Sequence, residues 1–207
     1  MSSITLIGTG NMARAIGTLA VAGGNTVEVM GRDQSKADAL AKALGGGATT
    51  GEWGAVPVGD IVITALLHNS VVPVVAEYGH ALAGKVIVDI SNPFNTTFDG
   101  LAHGEVTSIA QEVAKVAPAS ANVVKAFNTI FRNVLEKGRP DVFMAGDNAQ
   151  PKADVAAFIE SLGLRPLDVG GLRMAHWLEG MGLVTVGLAR NGVDHWDFAL
   201  GVTEFTG

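Results

Sequence analysis

ITLIGTGNMARAIG, residues Ile4 to Gly17, decides the fold. The apolar run Ile4–Ile7 reads as a strand, Gly8-Thr9-Gly10 as a tight turn, and the small and aliphatic residues from about Asn11 to Ala22 as a helix. In a G-x-G-x-x-G/A turn the first glycine permits the sharp bend and the second leaves room for a pyrophosphate. The third small residue lets helix and strand approach closely. Gly8, Gly10 and Ala13 occupy those positions, and the amides opening the helix can bind phosphate. Alone such a turn is a weak signal. Between a strand and a helix, at the head of an alternating chain, it predicts a dinucleotide site.

The alternation continues along the chain. Thr26–Met30 reads as the second strand and Ser35 to Leu44 as its helix, ended by Gly45-Gly46-Gly47. A weak strand is expected at Ala48–Thr50, clear ones at Asp60–Leu66 and Lys85–Ile90, and a helix at Ser70 to Leu82 between them. Beyond Ser91-Asn92-Pro93 the pattern predicts a helix over Val106–Ala117 and strands at Asn122–Phe127 and Asp141–Ala145. A helix over Gln150–Leu162 follows, with Pro151 in its first turn, then a strand at Arg165–Val169 and a long last helix at Leu172–Arg190. Fully apolar strands alternating with helices specify an α/β, Rossmann-like fold: a mostly parallel, doubly wound sheet with a small C-terminal helical part. Asp141–Val169 is expected as an antiparallel or mixed edge. With 207 residues and no linker or repeat, residues 1–207 are expected to form one domain, the helical part starting near 172.

Composition narrows the function. Hydrophobic residues make up 48% and charged residues 16%, so a large core is expected rather than disorder. The formal net charge is -6 with no run of Lys or Arg, which argues against nucleic acid and anionic membranes as partners. No cysteine is present, which excludes disulfides, thiolate metal sites and thiol nucleophiles. The longest apolar stretch, Ile61 to Ala76, is broken by His68, Asn69, Ser70 and Pro73, so no membrane span is expected. The chain opens directly into a strand, and a cytoplasmic location is expected.

The turn after the second strand selects the dinucleotide. NAD sites usually carry Asp or Glu about 20 residues beyond the glycines, for the ribose 2′-hydroxyl. Here the residues are Gly31-Arg32-Asp33-Gln34-Ser35-Lys36. A guanidinium grips a 2′-phosphate with two hydrogen bonds, Lys36 adds charge, and Gly31 leaves space, so NADP is favoured over NAD. The alternative is an exposed Arg32, with Asp33 taking the ribose or capping the helix.

Ligands in such sheets lie beyond the carboxyl ends of the strands, where Leu66-Leu67-His68-Asn69, Ser91-Asn92-Pro93 and Asn128-Thr129-Ile130 fall. These are candidate walls for the nicotinamide half; ordinary turn chemistry is the alternative for Asn92 and Asn128, and a capping or surface role for His68. Gly79 to Val86 nearly spells a phosphate loop but lacks the Mg²⁺-binding Ser or Thr and precedes a strand. His176 and Glu179 share a helix face without an HExxH, so no metal site is expected. The aromatic C-terminal region, with Trp177, Trp196, Phe198 and Phe205, suits either a flat ring or packing against core or partner. No residue set announces proton transfer to a carbonyl, so no catalytic residue is assigned. A planar acceptor with its own electron sink needs little but alignment.

The segments IGTGNMA, IVDISNPF, NVVKAFNTI, FMAGDN and LGLRPLDVGGL, with GR after the second strand, together resemble the F420-dependent NADP reductase family. They also resemble the NADPH-binding domain of STEAP-type ferric reductases. The resemblance runs from Ile4 to about Ala189. It implies a homodimeric enzyme moving hydride between NADP and a second ring cofactor, coenzyme F420 or a flavin. It implies that Thr9, Asn11 and Met12 line the phosphate turn and that Arg32 and Lys36 hold the 2′-phosphate. Residues around Leu66, Ser91 and Asn128 would surround the nicotinamide, and Asn128-Thr129-Ile130 with the start of the last helix would face the acceptor. Archaeal members carry His-Thr-Ile at that last site; the Asn form is closer to the ferric-reductase branch, whose membrane segment and heme are not seen here. GNMARAI also resembles the first turn of pyrroline-5-carboxylate reductase, which makes imine reduction one competing reading. An NADPH-binding redox sensor without turnover is another.

Overall fold

The structure, a computed structural model, describes residues 1–102 and 107–205. The opening unit is β1 (Ser3–Ile7), α1 (Asn11–Ala22), β2 (Thr26–Met30) and α2 (Gln34–Leu44), followed by the short β3 (Thr49–Gly51). Next come β4 (Ile61–Thr64), α3 (His68–Tyr78), β5 (Val86–Asp89), α4 (Ile109–Val116) and β6 (Asn122–Lys125). The chain then forms α5 (Arg132–Lys137), β7 (Asp141–Gly146), α6 (Ala149–Ser161), β8 (Arg165–Asp168) and α7 (Ala175–Asn191).

All eight strands join one sheet in the order β3-β2-β1-β4-β5-β6-β7-β8. The first six are parallel: Ile4 faces Val27 on one side and Ile61 on the other, and Ile61 faces Val86. Strand β7 runs antiparallel to β6, and β8 runs parallel to β7, so the expected mixed edge is a reversed pair.

Successive side chains point to opposite faces of a strand, and both faces are covered. Ile4, Leu6, Val27, Val29, Ile61 and Ile63 pack beneath α1, α2 and α6. Ile7, Met30, Val62 and Ile87 pack beneath α3, α4 and the start of α7. That double burial explains why the strands read as continuous apolar runs rather than alternating ones.

Several boundaries differ from expectation. The predicted strand Asp60–Leu66 is only Ile61–Thr64; Ala65 still donates its amide to Ile7 O at 2.9 Å, and with Leu66 it lines the groove described below. Helix α3 starts two residues early, at His68, and the expected remainder to Leu82 is a 3₁₀ turn. Helix α4 starts at Ile109, where the Ser108 hydroxyl caps it by accepting the Gln111 amide; the predicted start, Val106, lies outside the described residues. Helix α5 was not expected. The last helix is preceded by a 3₁₀ turn over Leu172–Met174. Beyond it, Trp196 and Phe198 pack edge-on against Phe131, and the Val202 amide donates to Asp141 Oδ2 at 2.8 Å. Among the described residues no helix is long and apolar enough to cross a membrane.

Candidate active site

Strands β1, β2, β4, β5 and β6 present their carboxyl ends along one edge of the sheet, and the candidate residues gather there in two groups. The first surrounds the glycine turn. Gly8 (φ +124°) donates its amide to Met30 O at 2.8 Å, which clamps the turn to the end of β2. A Cβ on Gly8 would lie 2.3 Å from Ala65 O, so the residue that bends the chain also admits the neighbouring strand end. Around Gly10, by contrast, nothing lies within 4 Å of where a Cβ would stand. Gly10 caps α1, whose first turn holds no acidic residue. The first-turn amides, Asn11 and Met12 among them, have no acceptor within the helix. A bare, amide-rich helix start beside an open glycine is a cradle for phosphate.

A groove of about 350 Å³ leads from this turn, lined by Gly8, Thr9, Gly10, Gly31, Arg32, Lys36, Trp53 and Leu66 among others. The Asp33 carboxylate accepts from the Ser35 hydroxyl at 2.6 Å and the Lys36 amide at 3.2 Å, capping α2. Those two hydrogen bonds hold its carboxyl below the usual carboxylate value. Both parts of the alternative posed from the sequence are seen: Arg32 is exposed and Asp33 caps the helix, with its Oδ2 3.5 Å from Lys36 Nζ. Arg32 lies 5.3 Å from the centre of the Trp53 ring, a cation–π distance. Trp53 is itself fixed, donating from Nε1 to Glu77 Oε1 at 2.8 Å and meeting Tyr78 edge-on. Sequence reasoning missed Trp53: in a glycine-rich loop it showed no periodicity to mark it. His68, which begins α3, is half-buried, but the groove is lined by its neighbours Leu66, Leu67 and Ser70 rather than by His68 itself.

The second group follows β5 and β6. Asn128 Nδ2 donates to Asn92 Oδ1 at 2.9 Å and to Leu178 O at 2.8 Å, while Asn92 Nδ2 donates to Asn128 O at 2.6 Å. Since Leu178 O and Asn128 O can only accept, both amide orientations follow from the network. Asn128 Oδ1 and Ser91 Oγ are left buried without a hydrogen-bond partner among the described residues. Such orphans are unusual in a folded interior. Phe127, fully buried just before Asn128, adopts φ 61°, a costly conformation for a bulky residue. Pro93, Thr129 and Ile130 are buried alongside. Helix α7 closes this side, and a Cβ on Gly182 would come within 3.0 Å of Asn92 Oδ1.

Beneath the second group sits a cluster the sequence did not reveal. Lys125, Asp89 and Glu179 have fully buried side chains. Lys125 Nζ donates to Asp89 Oδ2 at 2.7 Å, to Ser91 O at 2.6 Å and to Glu179 Oε1 at 2.8 Å. Glu179 also accepts the Ile109 amide at 2.9 Å, and Asp89 Oδ1 accepts the Ser91 amide at 3.1 Å. The helix face noted for His176 and Glu179 is divided: His176 Nδ1 pairs with Thr107 O at 2.9 Å, away from the cluster.

Comparison with known proteins agrees with this geometry. Residues 3–93, from β1 through the turn after β5, match the family described as NADP oxidoreductase, coenzyme F420-dependent. The chain is 32% identical over 186 residues to the metalloreductase STEAP3 of Rattus norvegicus, an alignment covering 87% of this chain and 36% of the rat protein. It thus spans about a third of that relative's length. A solved structure from Arthrobacter sp. FB24, provisionally designated an F420-dependent NADP reductase, superimposes with a TM-score of 0.86 at 23% identity, covering 99% of this chain and 100% of that one. The pyrroline-5-carboxylate reductase of Coxiella burnetii shares the fold, with a TM-score of 0.66 at 17% identity over 91% of this chain and 69% of that one. The stretch that matches this family takes in the glycine turn, the Arg32 turn and the Ser91 turn.

Proposed function

We propose that the protein is an NADP-dependent oxidoreductase passing a hydride between NADP(H) and a planar ring acceptor, coenzyme F420 or a flavin. One observation carries the reading: Arg32 and Lys36 share a groove with the phosphate-type turn, while the nearby carboxylate, Asp33, is engaged in capping α2. In this reading Gly8, Thr9, Gly10, Asn11 and Met12 hold the diphosphate, and Arg32 and Lys36 hold the 2′-phosphate. Leu66, His68, Ser91, Asn92, Pro93, Asn128, Thr129 and Ile130 surround the nicotinamide and align the acceptor. The bound dinucleotide supplies the hydride; the chain binds, orients and excludes water.

The exposed side of α7, with Trp177 66% and Val184 57% exposed, is assigned to a second copy of the chain. We place the protein in the cytoplasm as one domain.

Titration with NADPH and NADH tests the dinucleotide. Arg32→Ala should weaken NADPH by about 1–3 kcal/mol, the scale of charged hydrogen bonds, and NADH far less. Equal weakening would remove the 2′-phosphate from Arg32. Anaerobic NADPH oxidation with F420, FMN, FAD, ferric chelate and pyrroline-5-carboxylate, each alone, tests the acceptor. Reduction of the imine alone would transfer the protein to the competing reading, and tight NADPH binding with nothing reduced would make it a sensor.

A further inference from the structure

Among the described residues Lys125 is the largest fully buried side chain with a charge, and it ends β6 directly after the buried Val123 and Val124. Burying an ammonium costs several kcal/mol unless every hydrogen finds an acceptor. Here each of the three does, and each acceptor belongs to a different wall of the second group: Asp89 at the end of β5, Ser91 in the turn beyond it, and Glu179 on α7. An apolar residue would fill this place more cheaply if holding the sheet together were its whole purpose.

The contacts converge on Ser91. Its carbonyl is held by Lys125 at 2.6 Å and its amide by Asp89 at 3.1 Å, so both main-chain groups of one residue are fixed by one ion pair. What is left unengaged is the Ser91 hydroxyl, buried and partnerless. We infer that Lys125 is a positioning residue: with Asp89 it locks the Ser91 turn, and with Glu179 it docks α7, so that the Ser91 hydroxyl meets the nicotinamide ring at a fixed angle. Lys125 touches neither dinucleotide nor acceptor. The inference rests on the NADP reading above and specifies how the ring half of that site is held.

The test separates the two halves of the ligand. Affinities for NADPH and for 2′,5′-ADP, which lacks the nicotinamide, are measured for the wild type, Lys125→Met, Ser91→Ala and the double variant. The emission of bound NADPH is recorded alongside as a signature of the ring's surroundings. Lys125→Met should weaken NADPH about tenfold, about one hydrogen bond's worth, shift the emission, and leave 2′,5′-ADP within about twofold. Because Lys125 acts through Ser91, the double variant should lose little more than the worse single variant, the mark of coupled residues. Losses that multiply, or equal weakening of both ligands, would reduce Lys125 to a structural role and overturn the inference. Should Lys125→Met fail to fold, the near-isosteric Asp89→Asn releases the same grip and is expected to show the same selective loss; unchanged NADPH binding there overturns it as well. Wild-type protein that binds neither ligand would refute the NADP reading itself, a result distinct from any of these.

Discussion

Gly8 and Gly10 stand two residues apart in one motif and have different physical duties. A side chain at Gly8 meets the Ala65 carbonyl on a backbone with φ +124°, so Gly8→Ala should cost roughly 2–4 kcal/mol and lower the melting temperature by several degrees. A side chain at Gly10 meets nothing; Gly10→Ala should keep stability within about 0.5 kcal/mol while NADPH affinity collapses. Thermal melts with dinucleotide titrations check both, and a stable Gly8→Ala would contradict the close approach described. The spacing of these glycines was legible because it is local chemistry. Asp89 and Lys125 were not: each is one charged residue inside an apolar run read as strand, Lys85–Ile90 and Asn122–Phe127, and nothing in the run says what the charge meets. Their burial depends on α7 returning 54 residues after Lys125, and no local pattern contains that. Trp53 was missed similarly, because its meaning comes from Arg32, 21 residues earlier.

Among the elements, those flanked by glycine turns were read almost to the residue: α1 lies between Gly10 and Gly23-Gly24, and β2 runs from Gly24-Asn25 to Gly31. Helix α5 escaped notice because six residues with one buried side chain, Leu135, carry too little periodicity. The reversed pair β7–β8 is tied to the C-terminal tail through the Arg165–Asp141 pair, and the tail is tied to α5 by Asn133 and Lys137, which both reach Asp197. Arg165 Nε donates to Asp141 Oδ1 at 2.6 Å, and the same carboxylate accepts the Val202 amide. The guanidinium first, and that amide after it, hold the Asp141 carboxyl below its ordinary value of 3.8. A depressed folded-state pKa contributes stability that is complete above the ordinary value and is lost as pH falls through the lower one. Acidification below about pH 4 should therefore free the tail before the sheet melts. A variant keeping Trp196 as its lone tryptophan would report this through loss of the Phe131 contact, and Asp141→Asn, which leaves the Asp197 contacts to hold the tail, should give that signal at a higher pH than the wild type. A tail signal that changes only with global unfolding would count against the pair as its anchor.

At the scale of the whole molecule, the alternation of apolar strands and helices foretold a parallel sheet covered on both faces, and that is the observed arrangement. Oligomeric state is the property left to measure. Helix α7 is docked on the site by its inner face, while Trp177 and Val184 point outward with Gly180 and Gly187, whose positions have open space around them. If a second copy covers that stripe, Trp177→Glu should convert a dimer to monomer in sedimentation velocity while the fold persists by circular dichroism. A wild type that sediments as a monomer would remove the assignment. The strand order has one more consequence, in time rather than space. Strand β1 lies between β2 and β4, so the opening residues gain their second neighbour only when residues 61–64 exist. During synthesis at about 5–20 residues per second, the glycine turn would wait several seconds half-paired, its apolar flank uncovered. Pairings so distant along the chain form slowly, and the segment that announces the fold is among those that must wait to be enclosed by it.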